Sequence, residues 1–79
     1  MRICVKLFGH FRDYLPSGSE GPLFWIELEE RSRVSDLLTH LGIPEKQPKA
    51  IICNHRTGKE GQLLNDGDVV AIFSPVSGG

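Results

Sequence analysis

Arg33-Val34-Ser35-Asp36-Leu37-Leu38-Thr39-His40-Leu41-Gly42 is the long stretch with a helical hydrophobic period, and the fold class follows from it. Val34, Leu37, Leu38 and Leu41 fall at i, i+3, i+4 and i+7, so they form one apolar stripe along one helix face. Ser32 or its neighbour is placed to cap the start, Asp36 suits the positive end of the helix dipole, and Gly42 ahead of Ile43-Pro44 is a stop signal. A helix with a single apolar stripe has to lie on another layer, and the flanking segments read as that layer.

Upstream, Ile3, Val5 and Leu7 alternate with Arg2, Cys4 and Lys6, the period of a strand with its odd face buried. Phe11, Tyr14 and Leu15 are three and four apart before Pro16-Ser17-Gly18, which predicts a turn or two of helix over a sheet edge. After Pro22, Phe24, Ile26 and Leu28 alternate with Trp25, Glu27 and Glu29 as a second strand. Downstream, residues 50–53 are a short apolar strand, 54–61 are polar and turn-rich, and Leu63-Leu64 offers a brief pairing. The turn Asn65-Asp66-Gly67-Asp68 then leads into a last strand from Val69 to Phe73. The order is β, short helix, β, α, β, short β, β. It predicts an α+β roll, a mixed sheet of four to five strands with the one main helix packed on one face. The handedness of the helix-containing connection places the first and last strands side by side and parallel in the middle of that sheet.

At 79 residues the chain has room for a single domain, 1–79, with a flexible tail over 74–79 and little interior left for a deep substrate cavity. Nine basic against ten acidic side chains give a net charge of −1, without the cationic excess that a phosphate backbone requires, so nucleic acid is not an expected partner. The sequence carries no apolar run long enough to span a bilayer and no signal-type block after Met1-Arg2, which points to a cytoplasmic protein with no membrane role.

Side chains that could do chemistry are scattered. His10, His40 and His55 lie in three segments without metal-ligand spacing, and each reads as a surface or edge histidine; no metal site is expected. Cys4 and Cys53, in strands expected to neighbour each other, are too few for a four-cysteine zinc site or an iron–sulfur cluster and read as small packed hydrophobes. Glu27, Glu29 and Glu30 read as a solvated face, and Gly58-Lys59 lacks the phosphate-loop pattern. The unusual feature is the end, Ser74-Pro75-Val76-Ser77-Gly78-Gly79. Two successive glycines impose no Cβ restriction and let a backbone enter a narrow channel, while Pro75 keeps the segment from extending the sheet. On the last strand, Val70 and Ile72 point toward the helix, and Val69, Ala71 and Phe73 point to a face without one, with Phe73 as the expected anchor for a partner.

The run from Leu64 to Gly79 resembles the C-terminal signature of the MoaD/ThiS sulfur-carrier family. Further resemblance lies in Leu7-Phe8-Gly9-His10-Phe11-Arg12-Asp13, in Val34-Ser35-Asp36-Leu37-Leu38 and in Ile52-Cys53-Asn54, and the segment around Phe11-Arg12 favours the MoaD branch. The chain departs from many relatives in having Val69 after the Asp-Gly-Asp turn and Ser74-Pro75 in place of a Pro-Pro pair.

The resemblance implies a β-grasp, ubiquitin-like fold and a function residing in Gly79, with Gly78 beside it. An adenylating partner of the MoeB/ThiF type would use ATP-Mg to activate the Gly79 carboxylate, and a sulfurtransferase would supply the sulfur of a thiocarboxylate. The chain would bind no cofactor itself. In the MoaD branch the loaded tail would enter a MoaE-like large subunit of molybdopterin synthase and donate sulfur to cyclic pyranopterin monophosphate, making this chain a non-catalytic sulfur-donor subunit. Phe73, Pro75, Val76, Val69 and Ala71 would contact the partner, and Arg12, by family position, would add an ion pair at the rim. The alternatives are a ThiS-like carrier for another pathway, a protein modifier conjugated through Gly79, or an interaction module for which the tail is irrelevant.

Overall fold

The computed structural model describes residues 1–75. Strand β1 (Arg2–Leu7) leads through a 3-10 helix (Gly9–Tyr14) to β2 (Leu23–Glu27). The main helix α1 (Val34–Leu41) follows, then β3 (Ala50–Cys53), β4 (Arg56–Thr57) and β5 (Val69–Phe73). The five strands form one sheet in the order β2-β1-β5-β3-β4. As the pattern predicts, β1 and β5 are parallel and central, with Cys4 opposite Val69 and Leu7 opposite Ile72. Their neighbours run antiparallel, β2 on β1 and β3 on β5.

Alternation in register sorts the side chains onto two faces. Ile3, Val5 and Leu7 from β1, Val70 and Ile72 from β5, and Ile51 and Cys53 from β3 meet Val34, Leu37 and Leu38 of α1 in one buried cluster. Leu41, the fourth residue of the helical stripe, is half-buried against it. Phe11 closes the cluster from the 3-10 helix, fully buried, with Tyr14 and Leu15 packed alongside.

The helix ends follow backbone hydrogen-bond requirements. At the C-terminus Gly42 sits at φ +80, its N–H bonds the Thr39 carbonyl and the Ile43 N–H bonds the Leu38 carbonyl, a Schellman closure. At the N-terminus the capping place belongs to Arg33, the neighbour of Ser32, and the Asp36 carboxylate accepts the Arg33 N–H at 2.7 Å. The Ser32 hydroxyl donates instead to the Glu29 carbonyl. The first helical N–H groups need no serine, because the Val34 and Ser35 amides donate to the Gln62 and Glu60 carbonyls.

Three details correct the sequence reading. The polar segment 54–61 contains strand β4, entered by a turn in which Asn54 and His55 have φ +52 and +70, a pair of left-handed residues that joins two strands tightly. Leu63-Leu64 forms no strand; Leu63 makes a single antiparallel bridge with Arg33 and Leu64 is buried. Cys4 and Cys53 are not on neighbouring strands, since β5 lies between them, and they face opposite sides of the sheet. Both are free thiols.

Leu37→Ala removes a fully buried side chain from the helix–sheet contact and is expected to lower the unfolding free energy by about 2–5 kcal/mol. Urea unfolding of the two proteins measures this, and a change within 0.5 kcal/mol or so would mean the helix is not the layer that stabilises the sheet.

Candidate functional site

One face of the sheet carries the helix; the other is bare. On it lie Leu23 and Trp25 of β2, Cys4 and Lys6 of β1, Val69, Ala71 and Phe73 of β5, and Ile52 of β3, by the strand registers. Leu23, Trp25 and Phe73 are 46%, 49% and 37% exposed, a large apolar content for an open face. The Arg2 guanidinium lies 4.8 Å from the centre of the Trp25 ring and shields part of it.

Phe73 stacks on Phe8, with ring centres 4.7 Å apart and planes 10° from parallel. It therefore packs on one side and stays exposed on the other. Beside the stacked pair is a groove of about 250 Å³ lined by Phe8, Ile52, Val69, Ala71 and Phe73, with Lys6 and His55 as its basic groups and no carboxylate. Val69 and Ala71 are thus brought together with Phe73 as the alternation requires; Val69 is half-buried and Ala71 buried between its neighbours.

Pairing of β1 with β5 continues past the strand ends. The Phe8 N–H donates to the Ile72 carbonyl at 3.0 Å. The backbone then turns at Gly9, φ +62, where an added Cβ would run into the Ser74 side chain. The His10 N–H donates to Ser74 Oγ at 3.2 Å, and His10 Nδ1 lies 2.6 Å from the same oxygen. His10, which in the sequence reads as an ordinary edge histidine, thus touches the root of the Gly-Gly tail. No sequence motif announces this, because the two residues are 64 positions apart. Pro75 follows and is exposed. Val76, Gly78 and Gly79 lie outside the described residues.

Arg12 is exposed on the 3-10 helix, and among the described residues no ion pair within 4 Å involves it. The other end of β5 is closed by the Asn65–Asp68 turn. Asp68 accepts from the Asn65 N–H and from the Asn54 side chain, Asn54 in turn accepts the Val69 N–H, and Asp66 accepts the Arg2 N–H. These bonds are structural and leave the turn no free role. Among the described residues no group of three or more histidine, cysteine or acidic side chains is gathered as a metal site, and no helix is long and apolar enough to cross a membrane.

Burial pushes the Cys53 thiol above its ordinary pKa, the nearby Asp68 charge adds to this, and a hydrogen bond with Gln62 opposes it. The thiol stays neutral and poorly nucleophilic near neutral pH. Because the folded-state pKa is the higher one, the unfolded chain ionises first, and stability is lost as pH rises from the unfolded toward the folded value. In urea titrations between pH 7 and 10, Cys53→Ala is expected to show a shallower alkaline loss of stability than the unaltered protein; parallel curves would refute the assignment.

Residues 5–79 match the model of the ThiS family. No curated protein matches the chain significantly. Among solved structures, a putative molybdopterin converting factor, subunit 1 from Pyrococcus furiosus is 29% identical with a TM-score of 0.72, covering 95% of this chain and 98% of its own. The complex of subunits 1 and 2 of the molybdopterin-converting factor from Helicobacter pylori gives 25% identity and a TM-score of 0.64 over 100% of both chains. SAMP1 from Haloferax volcanii, at 19% identity and a TM-score of 0.75 over 100% of both chains, shares the fold.

Proposed function

The chain belongs to the ThiS family, and on that premise we propose that it is a sulfur carrier whose working group is the Gly79 carboxylate, acting as the small subunit of a molybdopterin synthase. The observation that carries the reading is an uncovered apolar face that reaches Phe73 at the end of the last strand, a few residues before the Gly78-Gly79 pair, in a chain similar to subunit 1 proteins. A carboxylate is a poor electrophile. In the proposed cycle a MoeB/ThiF-like partner lets the Gly79 carboxylate oxygen attack the α-phosphorus of ATP-Mg, and pyrophosphate leaves. The terminal sulfur of a persulfide on a sulfurtransferase then attacks the acyl carbon and displaces AMP, and a thiol cleaves the resulting acyl disulfide, leaving a thiocarboxylate on Gly79 and a disulfide on the partner. The chain contributes the acyl group and a docking surface; the partners contribute the catalytic groups, in the cytoplasm.

Docking of a MoaE-like large subunit is assigned to the open face. Phe73, Val69 and Ala71 supply apolar contact, Pro75 and Val76 lead the tail inward, and Arg12 is free to take a rim carboxylate. The groove's basic groups, Lys6 and His55, favour a partner segment that sets an apolar side chain beside an acidic one. The sulfur then passes to cyclic pyranopterin monophosphate. A second reading, a protein modifier joined to lysine through Gly79, is supported by the fold shared with SAMP1 and uses the same adenylation.

Incubation with an adenylating enzyme, ATP-Mg and a sulfur donor is expected to raise the intact mass by about 16 Da, the exchange of oxygen for sulfur at the acyl carbon. One alanine added after Gly79 is expected to abolish the gain with the fold unchanged. Loading of the extended chain would sink the carrier reading, and lysine conjugates without a thiocarboxylate would establish the modifier.

Phe73→Arg is expected to weaken large-subunit binding by about 2 kcal/mol or more in a binding titration. Its cost in calorimetric unfolding should be about 0.5–1.5 kcal/mol, from loss of the Phe8 stack. Equal losses in both would identify Phe73 as core alone.

A further inference from the structure

We propose that Gly9, His10 and Ser74 form a clasp that fixes the direction in which the tail leaves the sheet, with His10 as the positioning residue. Strand β5 ends at Phe73, and a chain leaving a strand end is ordinarily held by nothing. Here three independent contacts hold it one residue further. Phe8 stacks on Phe73; Gly9 takes a left-handed conformation in which only a hydrogen fits beside Ser74; and His10 meets Ser74 Oγ with both its backbone amide and its ring.

Ser74 Oγ accepts the His10 N–H at 3.2 Å and lies 2.6 Å from Nδ1 of the same residue. The hydroxyl has one proton to give and a second lone pair to receive one, so the ring contact is a hydrogen bond in either neutral tautomer. The ring is itself braced, because it packs at 4.4 Å on Phe11, which is fully buried in the core. The chain of contact runs from the core through Phe11 and His10 to Ser74, and Pro75, with its fixed φ, carries the direction on.

A tail aimed by a rigid base reaches a partner's active site with less orientation left to lose. This kinetic part rests on the carrier reading; the clasp itself does not. The test compares the full-length chain with Ser74→Ala, His10→Ala and the double variant by two readouts. Imidazole nitrogen NMR of the unaltered chain is expected to show a hydrogen-bonded Nδ1, and Ser74→Ala should shift that nitrogen. In sulfur loading, His10→Ala, which loses the ring bond, should lower the turnover about two- to tenfold, and Ser74→Ala, which loses both bonds, at least as much. The KM for the chain should hold, the melting midpoint should fall by only a few degrees, and the double variant should lose no more turnover than Ser74→Ala.

An Nδ1 signal indifferent to Ser74→Ala would overturn the clasp. Single-variant losses that multiply in the double variant would overturn the coupling, and a raised KM with unchanged turnover would make His10 a docking residue. Should the unaltered chain take up no sulfur at all, the carrier reading fails and the imidazole spectrum alone decides the clasp.

Discussion

Parallel pairing of β1 with β5 is the constraint on which the rest of this structure depends. Parallel neighbours cannot be joined by a tight turn, so the whole intervening chain must cross over, and the helix lies within that crossing. The same pairing puts the C-terminal ends of both strands at one edge of the sheet. The residues after β1 are thereby delivered to the residues after β5, although 64 positions separate them. An antiparallel pairing of these two strands would have sent Ser74 to the opposite edge from His10.

Covering one face of the sheet and not the other follows from length. A chain of 79 residues supplies one long helix, and its three buried side chains, Val34, Leu37 and Leu38, contribute roughly 1.5–3 kcal/mol each to the helix–sheet contact. Among the described residues no second α-helix covers Trp25, Leu23 and Phe73. Partial shielding comes from the Arg2 guanidinium over Trp25 and from Phe8 against Phe73. In the proposed carrier role, an apolar surface of this extent beside the root of the tail would join recognition to delivery.

Most of the architecture was legible because its signals are periodic. Alternation in Ile3, Val5 and Leu7 and the i, i+3, i+4, i+7 stripe of α1 each report a buried face directly. What escaped were features set by partners distant in sequence or by conformations that side-chain type signals weakly. Strand β4 is two exposed residues after Asn54-His55, a left-handed pair without the glycine that normally marks such a turn. Arg33 stands at the helix cap because residues 60 and 62 bond the free amides from across the fold. The separation of Cys4 from Cys53 depends on which strand enters between them, and composition does not say. Of the site, the open-face row Val69, Ala71, Phe73 was legible from alternation, whereas the His10–Ser74 contact was not. A histidine and a serine in exposed segments carry no pattern until topology brings them together.

On the proposed function, a division between framework and tip would let the reactive end be as plain as Gly78-Gly79. Many of the polar side chains in the described residues secure backbone. Asp66 and Asp68 close one end of the central strands, Asp36 closes the helix start, and Ser74 is tied to the turn at Gly9 and His10. Among these only Ser74 and His10 bring a hydroxyl to an imidazole, at the root of the tail, and the one thiol with a shifted pKa is pushed away from reactivity. A fold that spends its polar groups on rigidity is suited to presenting a group for others to transform. In the proposed carrier role, selectivity would come from the face that docks, and the chemistry would require only an acyl terminus narrow enough to pass where a side chain would not.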